Sequence, residues 1–219
     1  MKDSDIHEVI SMLEDETSTW GETALTLVAK QTQQDPFRIL IGTVLSIRTK
    51  DEATAKACER LFKLADNPNS MLGLSQEKVV NAIYPVGFHL TKARNIHEIS
   101  RILVNNFKGI VPNDIDTLIT LPGVGRKTAN LVITVGYGKL GICVDTHVHR
   151  ISNRWGYIAT KNPNESEAAL RNKLPSEYWI RYNDLLVMYG QNMCKPVSPF
   201  CSCCRLSRLC DQIEVHKHR

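Results

Sequence analysis

Four cysteines near the end of this 219-residue sequence, Cys194, Cys201, Cys204 and Cys210, follow the spacing C-x6-C-x2-C-x5-C. Thiolates clustered in this way are ligands for a soft metal. Four of them can hold an iron–sulfur cluster, and four also suit tetrahedral zinc, so spacing alone leaves both open. Cys203 falls outside the pattern and is left out of the ligand set. Cys58 and Cys143 stand alone in apolar stretches and read as small core residues. A secreted disulfide framework would spread its cysteines, whereas five of the seven here fall between Cys194 and Cys210.

A second chemical feature is Lys127, which follows the stretch Leu121-Pro122-Gly123-Val124-Gly125-Arg126. Pro122 should stop the helical pattern that ends near Thr120, while Gly123 and Gly125 permit positive φ and close backbone approach. Such a turn, feeding an apolar helix from Thr128 to Val135, either serves as a tight helix connection or presents N–H groups that favour an anion. Lys127 then lies in the first helical turn, near the positive end of the dipole. Partly desolvated there, it should have a lowered pKa and offer a neutral amine as nucleophile. Asp145 precedes the helical segment Thr146 to Trp155, where its plainest role is an N-cap. His147 and His149 on that segment read as surface or satisfied core histidines, with a ligand contact as the alternative.

The elements that must position these groups are helices. Periodicity of the helical kind dominates, and no long stretch joins alternating apolar residues to a tight hairpin turn. Helix starts are expected at Asp35-Pro36, at Asp51 before Glu52, at Ser75 before Glu77 and at Asn162-Pro163 before Glu165. Val86-Gly87-Phe88 before Lys92-Ala93-Arg94-Asn95-Ile96 weakly echoes the Gly123–Leu131 stretch, but one echo does not make a repeat array. The 27 Lys and Arg against 23 Asp and Glu leave a formal charge of +4, mildly favouring a polyanionic partner. No apolar run approaches a membrane span, and the polar start Met1-Lys2-Asp3-Ser4-Asp5 is unlike a secretory signal, so a soluble intracellular protein is expected.

Taken together, these motifs resemble the endonuclease III family of DNA glycosylases. The likeness runs through Leu45-Ser46 and Thr49-Lys50-Asp51, Gly87 to Ile96, the helix-hairpin-helix stretch Leu121–Asn130, Val144-Asp145-Thr146-His147-Val148-His149-Arg150, and the four cysteines. It spans nearly the whole chain. The resemblance implies that Lys127 attacks the sugar C1′, displaces a damaged base and forms a Schiff base whose β-elimination cuts the strand. It implies a catalytic Asp145 that stabilises positive charge on the sugar and assists proton transfer, and a [4Fe–4S] cluster on Cys194, Cys201, Cys204 and Cys210. In this family a residue after Leu45-Ser46, often glutamine, fills the gap left by the extruded base; here Arg48 stands there. Val86 and Phe88 are candidate apolar wedges as well as candidate core residues.

The expected architecture is therefore all-α, with two helical domains: 29–139 carrying the helix-hairpin-helix, and 1–28 with 140–219 carrying the cluster loop, DNA lying in the cleft between them. The expected function is a bifunctional glycosylase and abasic-site lyase acting on oxidised pyrimidines in duplex DNA, as a monomer in a prokaryotic cytoplasm. DNA contacts are expected from Arg48, Gly123, Val124, Gly125, Arg126, Lys195 and Arg205. Lys195, Arg205 and Arg208 interleave with the cysteines, so a cluster closing that loop would hold cations against phosphates. A mismatch-directed glycosylase of the same fold, a non-catalytic DNA-binding iron–sulfur protein and a zinc-stabilised module are the alternatives. Relatives that remove mismatched bases lack the lysine, which favours the lyase.

Overall fold

The computed structural model describes residues 1–20 and 34–219. In chain order the described helices are α1 (Ile6–Thr17), α2 (Pro36–Ser46), α3 (Asp51–Leu64), α4 (Pro68–Leu72), α5 (Gln76–Ile83) and α6 (His89–Phe107). They continue as α7 (Ile115–Leu118), α8 (Arg126–Leu131), α9 (Thr146–Arg154), α10 (Pro163–Lys173) and α11 (Trp179–Asn192). No strand occurs among the described residues, as an all-α chain requires. None of the described helices is long and apolar enough to cross a membrane.

The chain divides into two compact units, Ala24–Lys139 and the pair of segments Met1–Thr23 with Leu140–Arg219. The expected domain boundary between residues 28 and 29 lies outside the described residues.

The first unit is built around α2, whose residues from Phe37 to Leu45 are buried apart from Arg38. A helix apolar on nearly all sides must be enclosed, and α2 packs against both α3 and α8. Truncating a side chain as fully buried as Leu40 to alanine should cost about 2–5 kcal/mol. Cys58 joins this core, and burial pushes its thiol up to about 12, in keeping with an inert packing residue. Val86 also takes the core role, at 1% exposure.

In the second unit α1 buries Ile6, Val9, Ile10 and Leu13, one face of a 3.6-residue period, against α11. Cys143 is buried here, as expected of a core thiol. Tyr182 sits wholly inside, its hydroxyl 2.9 Å from Ser152 Oγ, so the buried polar atom is matched.

The sequence-expected helix starts hold at Asp35, Ser75, Asn162 and Asp145, where each side chain accepts a backbone N–H of the first turn. At Asp51 the start is displaced by one residue. Lys50 is the cap residue and Asp51 is already helical, where its charge still favours the N-terminal end of the dipole. The helix before the hairpin also stops early, at Leu118, and α8 passes into a π-helical turn, Val132–Gly136.

Candidate nucleic-acid interface

The hairpin Leu121–Arg126 owes its shape to two glycines used differently. Gly123 adopts φ = +77°, and a Cβ there would lie 2.6 Å from Asn95 Nδ2, so the turn needs glycine for conformation and for space. Gly125 has an ordinary φ of −96° as the cap residue of α8, and a Cβ built on it would meet nothing within 4 Å. Of the two glycines, only Gly123 uses positive φ. Val124 between them turns its side chain into the core, and its N–H donates to the Leu121 carbonyl at 3.1 Å. What Val124 can present outward is limited by that bond.

Arg126 and Lys127 open α8, so Lys127 is in the first turn as the sequence suggested. Lys127 is exposed. A long side chain at the second helical position points away from the core that Thr128, Ala129, Asn130 and Leu131 enter.

A second exposed surface in the same unit joins the segment after α2 to the turn before α6. Arg48 (φ = +52°) and Phe88 (φ = +58°) are non-glycine residues in the left-handed region. Phe88 is 63% exposed, with the Arg48 guanidinium carbon 5.8 Å from its ring centroid. Gly87 between them and the core is pressed so close that a Cβ would fall 2.7 Å from the Arg48 carbonyl oxygen. Beneath the pair lies Lys92, a residue the sequence reading did not single out. The signal was present: Lys92 shares the spacing of Ile96, Ile99 and Leu103, the buried face of α6.

In the other unit Asp145 caps α9 through Oδ1, which accepts from His147 N at 2.8 Å and Val148 N at 2.9 Å. His149 Nδ1 lies 2.7 Å from Ser166 Oγ and His147 Nδ1 lies 3.1 Å from Arg150 Nη2, so both rings have protein partners.

The cysteine region hangs on two arginines of α9 that the sequence reading also passed over. Arg154, buried, donates to the Lys195 and Pro196 carbonyls at 2.7 Å each, and Arg150 donates to the Cys194 carbonyl at 2.9 Å. Tyr189 Oη stands 3.0 Å from Cys204 Sγ. Burial raises the thiol pKa values of Cys201, Cys204 and Cys210, the last to about 11, and neighbouring cysteines add to each rise. Cys194, Cys201 and Cys204 all bear electrostatically on Cys210, so the four sulfurs occupy one region. As they stand, no three His, Cys, Asp or Glu side chains among the described residues are gathered tightly enough to hold a metal ion. Donor type and common location nevertheless fit a thiolate-bound group, whose positive charge would relieve the repulsion among these sulfurs. Cys203, which also bears electrostatically on Cys201, is exposed.

Of the cations threaded through this region, Lys195 rests on the Phe200 ring at 5.2 Å. Arg208 is ion-paired with Glu8, while burial raises the Glu16 carboxyl pKa against the opposing pull of exposed Arg205.

Residues 41–176 match the HhH-GPD superfamily of base excision DNA repair proteins. The chain belongs to that superfamily. Endonuclease III of Thermotoga maritima is 46% identical to this HhH-GPD protein over 179 residues, 82% of this chain and 84% of that one. The fold is similar to that of a non-covalent endonuclease III–DNA complex, at TM-score 0.84 and 32% identity, covering 97% of this chain and 96% of the other. It is also similar to a trapped endonuclease III–DNA covalent intermediate with an estranged adenine, at TM-score 0.83 and 31% identity, covering 97% of each chain. HhH-GPD membership brings the hairpin, Lys127 and the Asp145 cap within one superfamily match, whereas the four cysteines lie beyond its last matched residue.

Proposed function

We propose that this chain is a bifunctional DNA glycosylase and abasic-site lyase of base excision repair, removing oxidised pyrimidines from duplex DNA. The observation that carries the reading is Lys127, exposed in the first turn of the helix that follows the hairpin. A relative of the same fold has been captured as a covalent DNA intermediate, which supports an amine nucleophile here.

In the proposed reaction Lys127 Nζ, as the free amine, forms a bond to the sugar C1′ while the bond from C1′ to the base breaks. The departing base takes up a proton. The adduct opens to an imine, a proton leaves C2′, and the bond to the 3′ phosphate breaks by β-elimination. Water then releases the lysine. Asp145, oriented by its two backbone hydrogen bonds, would face positive charge developing on the same sugar and relay the proton that Nζ must lose.

Duplex DNA would be held by N–H groups of the hairpin at Gly123, Gly125 and Arg126, with Lys195 and Arg205 as further phosphate contacts. Gly125 supports the hairpin assignment, because nothing inside the protein requires a glycine there. A phosphate approaching the backbone would. Arg48 and exposed Phe88 are suited to enter the space a base leaves when it is extruded. Val86, being buried, is not. Cys194, Cys201, Cys204 and Cys210 would hold a [4Fe–4S] cluster. When bound, that group supplies a rigid cross-link for the loop rather than electrons, since glycosyl transfer and elimination need no redox step.

We further assign 29–139 and 1–28 with 140–219 as its two domains, acting as a monomer on chromosomal DNA in a prokaryotic cytoplasm. Arg48 in place of the usual glutamine favours one second reading, a changed opposite-base preference that extends to mismatches. The test is to incubate the protein with duplexes bearing thymine glycol, an abasic site or a G·T mismatch, and resolve the strands on a denaturing gel. Cutting of the first two by wild type but not by Lys127→Gln is expected. Cutting that survives in Lys127→Gln would contradict the assignment of the nucleophile.

A further inference from the structure

Lys92 takes no part in the chemistry above, yet it is 6% exposed and its three donors are all directed at the segment that carries Arg48. Nζ donates to the Leu45 carbonyl at 2.7 Å, the Ile47 carbonyl at 2.6 Å and Thr49 Oγ1 at 3.1 Å. An ammonium has three N–H groups, so this one is fully matched. Two of its acceptors are the carbonyls at the end of α2, where the helix dipole favours a cation. Burial lowers its pKa to about 8, which is the cost of keeping a charge where an apolar side chain would pack without one.

The same cluster reaches the second segment. Thr49 Oγ1 accepts the Gly87 N–H at 3.2 Å, and the Gly87 Cα lies against the Arg48 carbonyl without room for a Cβ. Residues 47–49 and 86–88 are thereby tied into one piece. On its outer side Arg48 and Phe88 both hold left-handed backbone, with the guanidinium near the ring. Non-glycine residues adopt that region only when their surroundings over-determine it.

We propose that Lys92 is a positioning residue for damage recognition, holding Arg48 and Phe88 in the single arrangement from which both can enter the duplex as a base leaves the stack. This rests on the glycosylase reading of the preceding subsection. Lys92 acts through those two residues and does not touch the reacting atoms.

The experiment compares wild type, Lys92→Met and Gly87→Ala on two substrates. One is a duplex with thymine glycol beside 2-aminopurine, whose fluorescence rises when its neighbour unstacks. The other is a preformed abasic site in single-stranded DNA, which has no stack to open. Both variants are expected to lose the fluorescence rise and to remove the base on the order of a hundredfold more slowly. Both should cut the single-stranded abasic site at the wild-type rate. A Lys92→Met protein that unstacks and excises like wild type overturns the inference, as does an equal loss on both substrates. If Lys92→Met shows no cooperative melting, Gly87→Ala decides by the same criteria, because its added methyl separates the two segments without altering the lysine. Wild type that cuts neither substrate overturns the glycosylase reading itself and this inference with it.

Discussion

The hairpin around Gly123 and the loop around Cys201 are both candidate parts of one enzyme, but they are finished to different degrees by the chain alone. The hairpin is set by its own backbone and its packing: Gly123 at positive φ lies against Asn95, Val124 plugs the core, and Lys127 is exposed. The cysteine region is gathered by Arg150, Arg154 and Tyr189, yet burial first, and neighbouring cysteines second, raise the thiol pKa values of the half-buried Cys201, Cys204 and Cys210. A preformed site can meet its ligand without rearrangement. A site of four thiols completes itself only when a cation makes their ionised forms compatible.

That contrast can be broken by substitution. The largest structural effect is expected in the cysteine region, where Cys204→Ala should cost several kcal/mol of stability and abolish the brown absorbance of iron–sulfur-loaded protein near about 400 nm. Thermal melting and the visible spectrum check both; a colourless wild type loaded with zinc would refute the cofactor assignment. Gly123→Ala comes next. Positive φ and the Asn95 contact together should destabilise the hairpin by about 1–3 kcal/mol, measured by denaturant melts.

Gly125→Ala sharpens the comparison. Its Cβ points into open space, so stability should change by less than about 0.5 kcal/mol while affinity for abasic duplex falls several-fold. Unchanged affinity in a binding titration would remove the phosphate from the hairpin. The smallest effect is a dependence on pH at Lys92. Its folded pKa of about 8 lies below the ordinary 10.5, so between those values the unfolded chain binds more protons than the folded one. Stability contributed by this site therefore rises with pH across that window. Wild type should gain on Lys92→Met from pH 8 to 10.5, and an advantage that shrinks would contradict the lowered pKa of Lys92.

Local chemistry was legible in the sequence. Asp35, Ser75, Asn162 and Asp145 cap helices because a short polar side chain can reach a first-turn N–H without help from the rest of the fold. Cys58 and Cys143 declared themselves by their apolar neighbours. The features that escaped are long-range. Lys92 acts across 43 to 47 residues of sequence, and Arg154 acts across 41 and 42. Positive φ occurs at Arg48 and Phe88, where residue type argues against it, while Gly87 and Gly125 do not need it. Tertiary contacts decided those positions, and a residue-by-residue reading has no access to such contacts. The exposure of Lys127 escaped for a related reason: helix position is local, but desolvation depends on what covers the helix.

The most direct test of the account is to add borohydride during incubation with an abasic duplex and map the trapped peptide by mass spectrometry. Reduction fixes an imine as a stable amine between protein and sugar. One adduct is expected, on the peptide containing Lys127, absent from Lys127→Gln. No adduct from folded, DNA-binding protein, or an adduct on another lysine such as Lys92, would contradict it.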